Sequence, residues 1–275
     1  MAFIKCNYHT HNRLCNHATG EAKDYVLKAI SLGMEELGLS DHGPIPTSFM
    51  PYQEYKDNLC YRFMSYDVFE NIYLKELEDV VKTYGDKIKL YRGLEVEYIP
   101  AEHDFYEKLA AKLDYLNLGI HYFVSNGKIH NSYSHVNATN VLDYAKNACI
   151  AMDTGLFKTL VHPDLFMFSY ENINGERKFD EAALTASKMI IESAIKNNVY
   201  LEVNCNGLSN SRKYDSSDWL YPYHEFWNLV KTYTDAKIII GIDAHRPEAL
   251  DSEDIEKVIA FTKEIGLNVS HKIDF

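Results

Sequence analysis

Cysteine is scarce in this 275-residue chain, and the few present do not pair. Cys6, Cys15, Cys60, Cys149 and Cys205 are odd in number, scattered, and form no CxxC motif. A disulfide framework is therefore not expected, and the thiols read as reduced. Long apolar runs are missing too. No stretch approaches the roughly 18 consecutive apolar residues of a membrane span. The segment Met1 to His11 has no charged stretch followed by a long apolar one. The expectation is a cytoplasmic protein with no membrane partner. Basic charge is also short: 28 Lys and Arg against 40 Asp and Glu give a formal net charge of −12, with no local basic patch. Such a chain has no general attraction for a polyphosphate backbone, which excludes nucleic acid as the expected partner and points to small molecules. Linkers, low-complexity tracts and internal repeats are absent as well, so residues 1–275 read as one domain.

What is present is ordinary globular material, 46% hydrophobic and 25% charged, enough to build a substantial core. Short β-branched or apolar segments alternate with longer stretches of helical periodicity, the pattern of repeated βα units around a parallel sheet. The spacing predicts strands at Phe3–Tyr8, Glu36–Ser40, Ile88–Tyr98, Tyr115–Phe123, Thr159–His162, Val199–Asn204 and Lys237–Asp243. Helices are expected over residues 21–33, 67–84, 102–112, 139–153, 180–197, 218–233 and 247–265. Residues 43–66, 124–138 and 164–179 are left as long loops, a kind of segment that usually carries function in a compact domain.

The histidines are placed unevenly. Seven of the twelve, His9, His11, His17, His42, His121, His162 and His245, fall at or just beyond the carboxyl ends of the expected strands. In a parallel α/β barrel those ends converge on one face, where active sites are built. Glu95 and Asp243 share the placement. His9 and His11 are two residues apart, so on an extended strand both side chains face the same way and can chelate one ion. Asp243-Ala-His245 repeats the spacing at the other end of the chain. A single histidine such as His121 or His162 can equally be a hydrogen-bonded core residue. Apolar strands that end repeatedly in histidine, however, bury costly polar groups in one place unless something there uses them. Imidazole with carboxylate and no clustered thiolate suits Zn, Mn, Fe or Co. Nine ligands at about four to six bonds per ion require at least two ions, and three are expected if a carboxylate such as Glu95 bridges.

The same residues, read as motifs, resemble the polymerase and histidinol phosphatase (PHP) superfamily. They stand as His9-Thr-His11, Asp41-His42, Gly93-Leu-Glu95, Gly119-Ile-His121, Val161-His162-Pro163 and Asp243-Ala-His245, in the family's order across nearly the whole chain. Leu39-Ser-Asp-His-Gly-Pro-Ile-Pro46 and Gly93-Leu-Glu-Val-Glu-Tyr-Ile99 are similar to the histidinol phosphate phosphatase branch. The resemblance implies a distorted (β/α)7 barrel of the PHP type, a single metallo-phosphoesterase domain with a trinuclear metal site. It implies one ion held by His9, His11, Glu95 and Asp243, a second by Glu95, His121 and His162, and a third by His17, His42 and His245. Asp41 is expected to orient a ligand or its backbone rather than bind metal.

The implied activity is hydrolysis of L-histidinol phosphate or another small monoester, with a metal-bridging hydroxide attacking in line. Arg212, following the sixth strand, and Arg177, in the loop after His162, are the expected phosphate clamps, because the guanidinium fork pairs with two oxygens at once. Asp243, His245 and Asp164 are the candidate proton donors to the leaving alcohol. Rival readings are action on a nucleotide or phosphotyrosine, and an amidohydrolase-type C–N hydrolase. The latter usually adds a metal-bridging lysine at a strand end, and none stands here convincingly.

Overall fold

The computed structural model describes residues 3–49, 62–213 and 219–275. In chain order its main elements are β1 (Cys6–Asn7), α1 (Ala22–Leu32), β2 (Glu36–Leu39), α2 (Leu74–Tyr84), β3 (Lys89–Val96), α3 (His103–Ala110) and β4 (Tyr115–Leu118). There follow a hairpin, β5 (Tyr122–Ser125) and β6 (Lys128–Asn131), then α4 (Val141–Met152), β7 (Thr159–Leu160), α5 (Glu181–Lys196), β8 (Tyr200–Asn204), α6 (Asn206–Lys213), α7 (His224–Val230), β9 (Ile238–Gly241) and α8 (Glu253–Ile265). Among the described residues no helix is long and apolar enough to cross a membrane.

Seven strands pair in the order β1-β2-β3-β4-β7-β8-β9, every pair parallel. Parallel neighbours need long crossovers, and the helices supply them while covering the outer face. The sheet curls into a nearly closed, distorted (β/α)7 barrel. Its first and last strands meet only at the carboxyl rim, where Thr10 bridges Ala244 and the His11 amide donates to the Ala244 carbonyl at 2.8 Å. The Asn7 carboxamide oxygen accepts from the Ile242 amide at 2.9 Å just below. At the opposite end Val269 of the C-terminal segment lies beside Ile238 instead.

Two packing zones follow from strand periodicity. Outward residues such as Leu37, Leu94, Leu116, Leu160 and Leu201 join Tyr25, Tyr144, Ile190 and Trp227 of the helices in the main core. Inward, Tyr8, Tyr115, Tyr200 and Ile239 fill the base of the barrel. Two residues further along β4, β8 and β9 stand Asn117, Glu202 and Gly241. The interior therefore changes from aromatic to polar as the strands rise toward their carboxyl ends. Glycine makes room for this filling. At Gly38 a Cβ would overlap the Tyr115 hydroxyl and lie 2.9 Å from the Tyr8 Cα, and at Gly241 it would overlap the Glu202 carboxylate.

Helix ends follow local chemistry. Glu21 and Asp24 form a reciprocal capping box at the start of α1, and Gly33 closes it at φ 71°. Asp180 accepts from the Ala182 and Ala183 amides at the start of α5. The expected helix over 67–84 is present but opens with one short turn, Tyr66–Val68, and a π-helical stretch, Phe69–Tyr73. The π stretch sets Tyr73 so that its hydroxyl donates into the sheet, to the Gly93 carbonyl at 2.9 Å.

Several expectations need correction. The strand expected over Tyr115–Phe123 stops at Leu118. Phe123 belongs to the hairpin, which fills part of the segment expected as loop 124–138. The apolar run continued across two distinct strands, and periodicity alone could not show the break. Residues 206–213, to which the sequence reading assigned no element, form α6. The helix expected from 218 begins at His224 among the described residues, and part of the expected 43–66 loop lies outside them.

Filling the Gly38 position should be costly. We expect Gly38→Ala to lower stability by about 1–3 kcal/mol through overpacking, and Tm by roughly 2–4 °C for each kcal/mol. Thermal denaturation with an unchanged midpoint would show that Tyr115 can move aside.

Candidate metal centre

The strands deliver their polar carboxyl-terminal residues to one mouth of the barrel, and Glu95 is the centre of what gathers there. Its Oε2 lies 3.3 Å from His9 Nε2, 3.4 Å from His11 Nε2 and 3.0 Å from His42 Nδ1. Its Oε1 lies 3.0 Å from His162 Nε2 and 3.5 Å from His121 Nε2. Asp243 Oδ1 approaches His11 Nε2 at 3.0 Å and His245 Nδ1 at 3.3 Å. His17 and His245 face each other through their Nε2 atoms at 3.2 Å, and the His17 ring stacks near His42 with centroids 5.0 Å apart. All nine residues singled out as metal ligands in the sequence are thus brought to one place, from six strand ends and the loop after β1. His9, His11, His42, Glu95, His162 and Asp243 are buried there, while His17 is exposed at the rim.

Asp41 stands beside this group rather than within it. Its carboxylate accepts from the His42 amide at 2.8 Å and the Cys15 amide at 3.1 Å, with His11 Nδ1 at 3.4 Å. It therefore links the loop bearing His17 to the end of β2, as an orienting group would.

Charge is arranged around opposed tendencies. Burial favours the neutral form of Glu95, but His42, His121, His9 and His162 outweigh it and hold the carboxyl well below its usual range. Asp243 is held low in the same way by His9, His245 and His11 against burial. Burial opposes charge on His9, yet Glu202, Asp243 and Glu95 carry its imidazole well above the ordinary value, and His11 is raised to about 9 against burial by Asp243 and Asp41. Desolvation and the neighbouring His11 do the reverse to His42, which is pushed well below its ordinary value, and to His245, which falls to about 3. The two ionised carboxylates are thus balanced by positive charge favoured on His9 and His11, while His42 and His245 are kept neutral.

The donor set passes a direct test of fit. His9 Nε2, His11 Nε2, His42 Nδ1 and Glu95 Oε2 are buried with no hydrogen-bond partner, and all four point at the same space. Orphaned buried polar atoms cost about 1–3 kcal/mol each, and nitrogen and oxygen donors without thiolate are what zinc, manganese or iron take. Donor atoms of His9, His11 and Glu95, of His42, Glu95 and His121, of His9, His162 and Asp243, and of His11, His42 and His245 form four groups, each with its atoms within 4.8 Å of one another. Two of the residues also carry backbone strain. His162 and Asp243 sit at φ 34° and 54°, in the left-handed region that non-glycine residues enter at a cost of about 1–3 kcal/mol, a cost commonly held at functional sites.

Two carboxylates that the sequence reading passed over support the group. Glu202 on β8 grips His9 Nδ1 at 2.8 Å, and Glu97 holds His121 Nδ1 at 2.6 Å. Each fixes a ring so that its other nitrogen faces Glu95. The signal was available: Glu97 is two residues from Glu95, and Glu202 is an acid within an otherwise apolar strand that ends at the same mouth.

The two arginines expected to clamp phosphate lie elsewhere. Arg212 is on α6, and its guanidinium pairs with both oxygens of Asp254 at 2.7 and 2.6 Å. Arg177 donates to the backbone carbonyls of Met167, Trp219 and Leu220. Neither lines the cavity of about 610 Å³ above the histidines, whose cations among the described residues are Arg62, Lys213 and Arg246. The unforeseen helix is the reason: α6 turns the side chain of Arg212 toward α8 and leaves Lys213, one residue on, at the cavity.

Replacing Glu202 with Gln should leave the fold intact and weaken divalent-metal affinity about 10–100-fold. Chelator competition on the purified protein would measure it, and unaltered affinity would remove Glu202 from the support of His9.

Known proteins agree with this architecture. The PHP domain profile matches residues 7–206. A Bacillus subtilis histidinol-phosphatase is 28% identical over 119 residues, which are 42% of this chain and 42% of that protein, so the chain aligns with well under half the length of this relative. The histidinol phosphate phosphatase HisK of Lactococcus lactis, solved with zinc, L-histidinol and phosphate, superposes with a TM-score of 0.67 at 18% identity, over 100% of both chains. A HisK from Listeria monocytogenes gives a TM-score of 0.72 at 18% identity, over 92% of this chain and 99% of its own. At such identity the structural likeness speaks for the fold, whereas the profile match spans most of the sequence and includes seven of the nine converging residues, from His9 to His162. The chain belongs to the PHP domain family.

Proposed function

We propose that this chain is a metal-dependent phosphatase of small phosphate monoesters, with L-histidinol phosphate as its substrate and three divalent ions as its cofactors. The observation that carries the reading is the convergence of seven imidazoles and two carboxylates beneath an open cavity. The names of the Bacillus relative and of the Lactococcus neighbour, with the ligands solved in the latter, support the choice of substrate.

In this reading His9, His11, Glu95 and Asp243 hold one ion, Glu95 with His121 and His162 a second, and His17, His42 and His245 the third. Ions held there supply water acidified to near neutrality and positive charge for the nonbridging phosphate oxygens, the two needs of a loose phosphoryl-transfer transition state. Around them the protein positions the substrate. Arg62, Lys213 and Arg246 line the cavity and take the phosphate oxygens left exposed. Tyr122, Tyr133 and Asn131 also line it and offer two aromatic rings and one carboxamide to the imidazole and ammonium of the alcohol. Water oxygen bonds to phosphorus as the ester oxygen leaves, and one proton must pass to that oxygen. Asp243 and His245 line the cavity and are the residues assigned the transfer of that proton to the leaving oxygen.

Turnover of L-histidinol phosphate by metal-replete protein, set against other monoesters and diesters, tests the proposal. Preference for histidinol phosphate is expected, and equal rates on all monoesters would leave only the broader class. Glu95→Ala should reduce phosphate release to background, and appreciable activity in that variant would sink the reading. Lys213→Ala should raise KM about tenfold or more, since a charge-assisted hydrogen bond contributes about 1.5–3 kcal/mol. Arg212→Ala should leave KM and kcat alone.

A further inference from the structure

The base of the barrel, opposite the histidine cluster, holds a second set of ligating side chains. Cys6 is buried on β1, Glu35 stands in the turn leading into β2, and His271 belongs to the segment that follows α8. One thiol, one carboxylate and one imidazole meet there with their donor atoms within 4.8 Å of one another. Cys6 Sγ is 3.8 Å from His271 Nε2, and the same nitrogen is 3.3 Å from Glu35 Oε2.

These spacings are those of ligands around one ion. Tetrahedral zinc with Zn–S near 2.3 Å and Zn–N and Zn–O near 2.0–2.1 Å sets sulfur and nitrogen about 3.6 Å apart, and nitrogen and oxygen about 3.4 Å apart. Both of these pairs agree to a few tenths of an ångström, and the remaining pair, Cys6 with Glu35, lies within 4.8 Å. Lys5 does not block the site, since its ammonium takes the other oxygen, Glu35 Oε1, at 2.6 Å and leaves Oε2 to face the imidazole. We propose that Cys6, Glu35 and His271 form a separate binding site for one thiophilic divalent cation such as zinc, with water completing the coordination. The sulfur donor separates it chemically from the oxygen-and-nitrogen cluster at the other mouth and disfavours manganese or magnesium. On binding, the Cys6 proton is released to solvent and the sulfur coordinates as thiolate.

The site would fasten the segment that closes the open base. Ser270 donates to the Ile238 carbonyl at 2.7 Å, Ile273 is buried against Cys6, Tyr8, Tyr115 and Tyr200, and Phe275 stacks on Tyr91 with centroids 3.9 Å apart. An ion shared by Cys6 and His271 ties this segment to β1, where the first and last strands do not pair.

Cobalt gives a readout independent of phosphatase activity. Protein stripped with a chelator and titrated with Co²⁺ should develop a near-ultraviolet thiolate-to-cobalt absorption band, which the histidine cluster cannot produce. The band should vanish in Cys6→Ser and weaken in His271→Ala, an exposed position where folding is not at stake, and it should persist in His42→Ala. Zinc content should fall by one equivalent in both base variants while phosphate release is kept. Absence of the band at saturating cobalt, or its survival in Cys6→Ser, would overturn the proposal.

Discussion

A buried carboxylate surrounded by imidazoles is the constraint from which the rest of this molecule follows. Glu95 lies in the interior of a parallel barrel, where an unpaired charge is not tolerated, and five histidines from four strand ends close on its two oxygens. An arrangement of this kind is stable only if the rings are fixed and the charges balanced. Glu202 and Glu97 fix two of the rings from behind, and Asp41 braces a third. In the proposed function divalent ions would supply the balance and at the same time a field suited to a phosphate dianion, so that one electrostatic requirement would serve both stability and chemistry.

The barrel makes this possible by separating its interior into zones. Tyrosines pack the base, and the small residues Gly38 and Gly241 leave space for the Tyr115 ring and the Glu202 carboxylate. The polar zone above is lined from every side by strand ends that parallel pairing points in one direction. Left-handed backbone at His162 and Asp243 then turns two side chains into the cavity where regular extended geometry would carry the chain past it.

Much of this was legible in the sequence, and the reason is the regularity of parallel strands. Once a strand is placed, the position of its last residue is fixed relative to all the others, so His9, His42, His121 and His162 could be put on one face from spacing alone. The strand at Glu36–Leu39 and the helix at Glu181–Lys196 came out nearly as expected because their apolar periods are clean and their caps local. What could not be read was decided by long-range packing. The hairpin at Tyr122–Asn131 depends on cross-strand pairing between segments of one continuous apolar stretch. Arg212 was misplaced because its direction depends on α6 docking beside Asp254, 42 residues away in the chain. Glu202 was overlooked although an acid inside an apolar strand running to the same mouth was itself a signal, because its partner His9 lies 193 positions away in the chain.

The seam of the barrel has a consequence for how the molecule comes into being. His9 and His11 contribute not only ring nitrogens but also the backbone groups that meet Ala244, and Asn7 reaches Ile242 across 235 positions of chain. Contacts of such separation form late, because loop closure must be met before they can be rewarded. A nascent polypeptide still lacking its final strand has no complete cluster to offer an ion. Assembly of the full cluster therefore waits on closure of the seam between β1 and β9, because Asp243 and His245 arrive only with it.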